Sequence, residues 1–377
     1  MNIRDAGPAE MDDWDAQAVD APGGHVYQSR AWAEHRRASG WRPRFLIADD
    51  GGRALSLVRP WPLVGGASAY VPRGPVAMGA DPGTLAARQI AIGEALAADG
   101  IDVVAADPEI LAAEPAFRAA IEAAGFHPIE EIQPSRHRVS LPLGPEADEI
   151  AVFEAIAKST RQRIRGAETA GVAIIRHDAQ SGEGPASGAA RADGPEEGFT
   201  APVEPASAAL DRFYDLLLET GERRHFSFGP RASFVAWWSV ALAAGHLVYL
   251  EARAGDATGE PLAGLILYRH GGRLSTVHSG DHSAARTTHP GALHLLRWRA
   301  IQLAIRERSS EMDLGGVDTA GARDEPTEGD DLYGLYQHKQ SFGGRWLELT
   351  GAHERVYDAR GYGLGRLAGR AARLIRR

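Results

Sequence analysis

The rarest ionisable side chain in this sequence is lysine. Of the 41 basic residues, only Lys158 and Lys339 are lysines, and all the others are arginines. Lysine offers a compact point charge whose pKa shifts readily, whereas arginine offers a fixed planar fork. The composition therefore predicts that lysine is kept where a guanidinium would not serve. Lys339 is the stronger candidate of the two, because it lies in the segment GLYQHKQSFGG at 334–344.

Fourteen histidines raise the question of a metal site. The densest group of potential ligands comprises His278, Asp281, His282, His289 and His294. Their spacing does not place two imidazoles on one helical face, with the one exception of His289 and His294, which lie five apart. The sequence contains no cysteine, which excludes disulfides, thiolate zinc sites and cysteine nucleophiles. We expect neither a metal nor a cofactor.

Other catalytic signatures are absent or weak. The sequence contains no G-x-S-x-G elbow, no H-E-x-x-H and no Walker loop. Residues 360–365, RGYGLG, match the R-x-x-G-x-G/A loop with which GNAT acetyltransferases bind the pyrophosphate of acetyl-CoA. Only twelve residues follow, too few for the helix and strands that complete such a site. We interpret the match as accidental or as a glycine-rich turn before the terminal helix.

The terminal helix has two contrasting sets of side chains. Leu364, Leu367, Ala371 and Leu374 recur at helical spacing. The other face holds five arginines, at positions 366, 370, 373, 376 and 377. Such a helix can bind anionic lipid or RNA phosphate, or it can be an ordinary packed helix with a solvated basic face. The sequence leaves both interpretations open.

Length and composition indicate a soluble globular protein. The 377 residues are enough for two or three domains, and 44% of them are hydrophobic. A net charge of −9 argues against nonspecific nucleic-acid binding over the whole surface, and no DNA partner is expected. The acidic N-terminus is not a signal peptide, and the longest apolar run, 234–250, is marginal for a bilayer. We expect a cytoplasmic protein that can work at the inner face of the membrane.

The elements that must position these residues recur along the chain. The segments 44–58 and 264–278 each predict a β-hairpin with a Gly-Gly-Arg at its turn. After each hairpin, Asp81-Pro82 and His289-Pro290 mark the start of an amphipathic helix that leads to a short strand. The pattern predicts a duplicated α/β unit.

Two further segments define the predicted domain organisation. Residues 181–207 are rich in Gly, Ala, Pro and Glu and almost free of large apolar side chains. We expect them to form a disordered insertion within the second half. The boundary between the halves is predicted near LPLGPEAD, at 141–148.

The segment around Lys339 resembles the C-terminal signature of the Fem family, the aminoacyl-tRNA-dependent transferases that build peptidoglycan interpeptide bridges. The family pattern G-L-Y-x-F-K-x-x-F-G-G is matched by Gly334-Leu335-Tyr336, Lys339 and Phe342-Gly343-Gly344. Further motifs follow the family order over nearly the whole chain. They are QSRAWAEHRRASGW, YVPRGPV, AADP, IQP, TRQRIRGAETAGV, ETGERRHF and MDLGGV.

The resemblance implies an α/β (α+β) fold of two tandem GNAT-like acyltransferase domains, each with a mixed central sheet flanked by helices. The first domain would comprise residues 1–144, completed by 345–377, and the second residues 145–344. The implied reaction is attack by an amine of a peptidoglycan precursor on the ester of an aminoacyl-tRNA. The precursor would be lipid-linked or nucleotide-linked, and the activity would serve cell-wall biogenesis and cell shape.

The resemblance also assigns site residues. The ester is already activated, so the enzyme must position the amine and stabilise negative charge on oxygen, and Lys339 is the expected catalytic cation. The substrate-binding positions implied by the resemblance are Arg36, Asp107, Arg223, His278, Tyr336 and His338. The alternatives are a helix cap for Asp107 and a solvated helix face for Arg36 and Arg223.

Departures from the family pattern leave the acceptor open. His338 replaces the usual aromatic, His278 stands where tyrosine is frequent, and Arg36 stands where lysine is common. An acceptor amine outside peptidoglycan is therefore one alternative. Two others are a GNAT-type N-acyltransferase that uses acyl-CoA and a non-enzymatic scaffold of the cell-wall machinery.

Overall fold

The computed structural model describes residues 1–133, 136–179, 196–224, 227–317 and 324–375. They form two compact units. Unit 1 contains the described residues of Met1–His137 and of the segment that begins at Leu347, and unit 2 contains those from Arg138 to Trp346. The sequence placed the boundary a few residues later, near 141–148. Each unit has its own apolar core.

Unit 1 is built on a seven-stranded mixed sheet in the order β1-β2-β3-β4-β5-β14-β6. Its strands are β1 (Ile3–Asp5), β2 (Arg42–Ala48), β3 (Arg53–Pro60), β4 (Ala67–Val71), β5 (Val103–Ala106), β6 (His127–Pro128) and β14 (His353–Val356). Its helices are α1 (Pro8–Asp12), α2 (Arg30–Ala38), α3 (Pro82–Ala98), α4 (Pro115–Ala123) and α12 (Ala359–Ile375), with a π-helical turn at Ala16–Asp20 and a 3-10 turn at Val26–Gln28. Strands β4 and β5 are parallel and are joined through α3.

Unit 2 contains the second seven-stranded sheet, in the order β13-β7-β12-β11-β10-β9-β8. Its strands are β7 (His137–Pro142), β8 (Val172–His177), β9 (Leu247–Ala254), β10 (Pro261–His270), β11 (Arg273–Asp281), β12 (Glu311–Asp313) and β13 (Arg345–Glu348). Its helices are α5 (Glu149–Ala155), α6 (Lys158–Thr169), α7 (Ala206–Arg224), α8 (Arg231–Ala243), α9 (Ala285–Thr288), α10 (Ala292–Arg306) and α11 (Tyr333–Gln340). Strands β11 and β12 are parallel and are joined through α10.

The two sheets repeat one pattern of pairing. In each, antiparallel strands lead to a helical crossover and a parallel strand, which then pairs with an antiparallel strand from a distant part of the chain, β14 in unit 1 and β7 in unit 2. The predicted duplication of an α/β unit is therefore present, but the prediction matched the wrong strands of the two halves. By place in the sheet, hairpin β10–β11 corresponds to β3–β4, whereas the predicted partner was β2–β3. Gly-Gly turns suit any tight hairpin, so they do not mark equivalent positions.

Local sequence explains the start of the crossover helix in unit 1. The Asp81 carboxylate accepts hydrogen bonds from the backbone N–H groups of Gly83 and Thr84, at 2.9 and 3.1 Å. Pro82 follows at the first helical position, where its missing N–H has no intrahelical partner to lose. The Asp-Pro pair therefore fixes the N-terminus of α3, as the sequence predicted.

The predicted disordered insertion at 181–207 needs correction. Its first part, up to residue 195, lies outside the described residues, but the rest is ordered. Phe199 is buried in the core of unit 2, and the Thr200 N–H donates to the Ile174 carbonyl at 2.7 Å. One buried aromatic ring and one backbone bridge order a stretch whose average composition predicts disorder.

The interpretation of 360–365 as a glycine-rich turn is also wrong, because these residues lie inside α12. The start of the helix is capped by Asp358, whose carboxylate accepts the N–H of Arg360 at 2.9 Å and whose carbonyl accepts the N–H of Tyr362 at 2.9 Å. Its first amides are thus engaged within the protein and form no phosphate-binding loop. None of the described helices combines the length and the apolarity required to cross a membrane.

Candidate functional site

Asp107 follows strand β5 in unit 1 and is completely buried. One carboxylate oxygen accepts the Tyr70 hydroxyl at 2.8 Å, and the other accepts the backbone N–H of Arg73 at 2.6 Å. Burial raises the pKa of Asp107 to about 6, against the opposing effect of the Arg73 guanidinium. The alternative of a helix cap is wrong, since no helix begins here. Asp107 instead holds Tyr70 and Arg73, both from the motif YVPRGPV, in fixed positions.

Arg73 is held in an unusual backbone conformation. Its φ is +49°, in the left-handed region that non-glycine residues rarely adopt. Two contacts with Asp107 stabilise it, the backbone hydrogen bond and an ion pair with 3.7 Å between Nη1 and Oδ2. Nearby, the buried Gln28 accepts the Leu55 N–H at 2.6 Å and donates to the Pro72 carbonyl at 2.5 Å. The loop after β4 is therefore held in place by hydrogen bonds with both Asp107 and Gln28.

Arg36 forms the second feature of unit 1. Its guanidinium lies over the rings of Trp32 and Trp41, 5.3 Å from each centroid, and Arg59 lies over the same Trp41 ring at 5.3 Å. Burial, and then the charge of Arg59, lower the pKa of Arg36, and Tyr70 partly offsets this effect. Among the residues that the structure describes, neither arginine has an acidic partner. This pair is not a solvated helix face but a cationic site suited to a phosphate or a carboxylate.

Lys339 lies on helix α11 of unit 2 and is only 5% exposed. Its ammonium donates a hydrogen bond to the Gly316 carbonyl at 2.6 Å. Gly315 has a φ of +82°, and a Cβ there would lie 2.8 Å from the Thr276 carbonyl oxygen and 3.3 Å from Nζ of Lys339. The ammonium therefore lies close to the Gly315 backbone, where any side chain at position 315 would crowd it.

His338 and His294 form a neutral pair beside this lysine. Their rings meet edge to face with 4.7 Å between centroids, and His338 also contacts the Phe342 ring at 5.3 Å. Burial lowers the pKa of His338 to about 2 and that of His294 to about 4, and nearby arginines add to both effects. Nε2 of His338 and Nδ1 of His294 have no hydrogen-bond partner in the described part of the chain.

A cavity of about 280 Å³ opens next to this pair, entirely within unit 2. His294 and His338 line it together with Arg163, Arg286 and Asp281. Arg163 is exposed and has no ion pair within the described residues. The cavity therefore presents the Arg163 charge to a ligand, whereas the unpaired nitrogens of His294 and His338 are themselves buried.

Arg223 reaches this cavity indirectly. Its guanidinium pairs with Asp281 at 2.5 Å and donates to the Ser283 hydroxyl at 2.9 Å. Asp281 in turn accepts from Arg286 at 2.6 Å and forms part of the cavity wall. The alternative of a solvated helix face is wrong for Arg223, whose charge instead positions Asp281.

The remaining two predicted residues are engaged elsewhere in unit 2. Tyr336 is 3% exposed, donates its hydroxyl to Glu325 and accepts from Gln340 at 2.5 Å. His278 lies among aromatic rings, with Phe234 at 5.6 Å and Trp238 at 5.8 Å, and burial lowers its pKa to about 4. Neither side chain is among those that line the cavity.

The structure thus divides the predicted residues between the units. Arg36 and Asp107 belong to unit 1, and the other five belong to unit 2. In the described ranges, no group of three or more His, Cys, Asp or Glu side chains can hold a metal ion.

Sequence reasoning missed several residues of these clusters. They are Arg59 and Tyr70 in unit 1 and Arg163, Arg286 and Arg297 in unit 2. The sequence indicated Asp281 and His294 only as potential metal ligands. Tyr70 is the first residue of YVPRGPV, a signal that could have identified it. Arg297 is 1% exposed, its Nε has no partner in the described chain, and burial lowers its pKa to about 10. Arg297 lies among apolar residues of α10, so no sequence signal of this kind could have identified it.

Two mixed sheets of equivalent topology, one in each unit, define a tandem GNAT fold. A family model described as an acetyltransferase (GNAT) domain matches residues 188–358. The chain is similar to the crystal structure of FemX, with a TM-score of 0.74 and 17% identity over 97% of this chain and 99% of that one. The predicted fold class is therefore confirmed: the chain has the tandem GNAT fold seen in FemX.

Two further solved structures share the arrangement. A conserved protein of unknown function from Bacteroides thetaiotaomicron has a TM-score of 0.52 and 13% identity over 93% of this chain and 98% of that one. The C-terminal domain of a putative lysylphosphatidylglycerol synthetase from Agrobacterium fabrum has a TM-score of 0.50 and 12% identity over 94% of each chain. No curated protein matches this sequence. The family model and the fold support an acyltransferase.

Proposed function

We propose that this protein transfers an amino acid from aminoacyl-tRNA to an amine of a peptidoglycan precursor and so forms an amide. The observation that carries the proposal is the placement of Lys339. The lysine of the Fem-like motif, in a chain with only two lysines, is buried next to a histidine that lines a cationic cavity. The surrounding fold agrees with that of FemX over nearly the whole of both chains.

In the proposed reaction the amine nitrogen attacks the ester carbonyl carbon. The new C–N bond forms, the C–O bond to the ribose breaks, and the proton lost by the amine balances the alkoxide that leaves with the tRNA. Lys339 stabilises the negative charge that develops on oxygen, and the fixed Gly316 contact holds its ammonium in position. No covalent intermediate on the protein is required, because the ester is already activated.

The Arg36–Arg59 pair is the proposed anchor for the precursor. Two guanidiniums without acidic partners in the described chain, stacked on a shared indole, suit the phosphates that a nucleotide-linked or lipid-linked precursor carries. Asp107 is completely buried, so its proposed role is to position Tyr70 and Arg73 at the precursor site. Because tRNA is the donor, the proposed location is cytoplasmic.

The competing activity is acyl transfer from acyl-CoA, which the description of the matching family model favours. Against it, the one R-x-x-G-x-G match in the sequence lies within α12, where its first amides are capped by Asp358. Neither half has such a loop between a strand and a helix.

A single assay separates these activities. The purified protein is supplied with a mixed pool of charged tRNAs and either nucleotide-linked or lipid-linked precursor, and the products are identified by mass spectrometry. A parallel reaction contains acetyl-CoA in place of tRNA. We expect a precursor enlarged by one amino acid only with charged tRNA. An acetylated product without tRNA would replace the proposal with acyl-CoA chemistry, and no product in either reaction would favour the scaffold.

A further inference from the structure

The terminal helix α12 packs against the rest of unit 1 through Gly361 and Gly365 and leaves Leu364 and Leu367 in solvent. A Cβ on Gly361 would lie 2.4 Å from a carboxylate oxygen of Asp102, and one on Gly365 would lie 2.3 Å from the Trp61 ring. Leu364 and Leu367 are 58% and 62% exposed. The packed face is therefore the glycine face, and the leucine stripe has no partner in the described protein.

A second apolar element lies beside this helix. The loop between β3 and β4 contains Trp61, whose ring contacts Tyr362 with 6.2 Å between centroids and whose indole N–H donates to Asp102 at 2.5 Å. Two residues further, Leu63 is 84% exposed, and Val64 is 37% exposed. An independent part of the chain thus adds apolar side chains to the same region of unit 1.

The charge of the helix is opposite to that of the protein. The whole chain has a net charge of −9, yet from Ala359 onward the sequence contains six arginines and no acidic residue. Arg360, Arg366 and Arg370 are exposed. On the helical wheel Arg366 and Arg370 flank the leucine stripe on the solvent side.

We propose that α12 and the tip of the β3–β4 loop form a docking surface for an anionic lipid bilayer, with the helix lying in the plane of the interface. Arginines alone would suit RNA equally well. Exposed leucines, however, gain no stabilisation from RNA phosphates, whereas their transfer from water to the acyl chains of a bilayer is favourable. The inference goes beyond the transferase proposal, since it requires neither donor nor acceptor.

The test is cosedimentation of the full-length protein with vesicles of phosphatidylcholine, with and without phosphatidylglycerol. We expect binding to the anionic vesicles that weakens as salt rises. Replacement of Arg366 and Arg370 by Gln should weaken binding about thirtyfold, since each arginine near an anionic surface contributes about fivefold. Leu364→Ser with Leu367→Ser should weaken it at least about tenfold.

Matched controls are Ile150→Ser, at a position 69% exposed on α5, and Arg42→Gln, at an exposed position on β2. Neither should change binding. All these positions are exposed, so the variants should keep the wild-type melting temperature. Wild-type vesicle binding by the leucine variant would overturn the proposal. So would loss of tRNA binding, but not of vesicle binding, in the arginine variant, which would identify an RNA surface. Neither result bears on acyl transfer, which the product assay measures separately.

Discussion

Replacement of Lys339 by Met is the sharpest test of the proposed chemistry. Methionine keeps most of the length of the side chain and removes the charge. An electrostatic contact to developing charge in a water-excluded site contributes about 10²–10³-fold to turnover. We expect a loss of that size in kcat with little change in KM, because the charge on the ester oxygen develops mainly in the transition state.

The same substitution has a separate structural cost that the local contacts define. Lys339→Met leaves the Gly316 carbonyl without its 2.6 Å donor, in a position where Lys339 itself is 5% exposed. An unsatisfied buried acceptor costs about 1–3 kcal/mol. For a unit of this size, each kcal/mol lowers the melting temperature by roughly 2–4 °C. Kinetics must therefore be measured well below the transition that circular dichroism records for the variant.

Two further variants separate charge from packing at this position. Lys339→Arg keeps the charge, but a planar guanidinium cannot reproduce the point charge of the ammonium or its 2.6 Å contact with the Gly316 carbonyl at a buried position, so activity should also fall. Lys158→Met changes the other lysine, which is exposed on α6, and should leave kcat and melting temperature unchanged. Turnover of Lys339→Met within a few-fold of wild type would refute the role of this charge.

Three other predictions follow from the same contacts. Replacement of Arg36 or Arg59 by Gln should raise KM for a phosphate-bearing precursor about tenfold. The control Arg37→Gln, on the exposed side of α2, should leave KM unchanged. Equal effects of all three substitutions on KM would refute the proposed anion site. Phe199→Ala should destabilise unit 2 by about 3–5 kcal/mol in thermal unfolding, because it empties a core position. An unchanged melting temperature would instead support disorder of the segment around Phe199. The folded-state pKa of His338 lies near 2, below its ordinary value, so its stabilisation is present at neutral pH and is lost as pH falls below about 6.5. His338→Phe should therefore reduce the fall in melting temperature between about pH 7 and pH 5, and an unaltered pH profile would show that the imidazole is protonated in the folded state.

The features that the sequence predicted are those fixed by local chemistry. Asp81 and Pro82 specify a helix start whatever surrounds them, and the Gly-Gly turn at 271–272 specifies a hairpin. The motif around Lys339 pointed to the tandem GNAT fold, which the structure shares with FemX. The same local rules could not give the register of the repeat, because a turn signal recurs wherever a tight hairpin is needed.

Only the tertiary structure decided which faces and which partners these elements use. On α12 the sequence left open whether the leucines pack or meet lipid or RNA. The Trp61 ring and the Asp102 carboxylate leave no room for a Cβ at Gly365 and Gly361, so these two glycines face inward. Leu364 and Leu367 face out. Arg36 and Arg59 are distant in sequence and meet only because Trp41 lies between them. The periodicity of a sequence shows which residues share a face, but the shape of the neighbouring surface determines whether that face is buried.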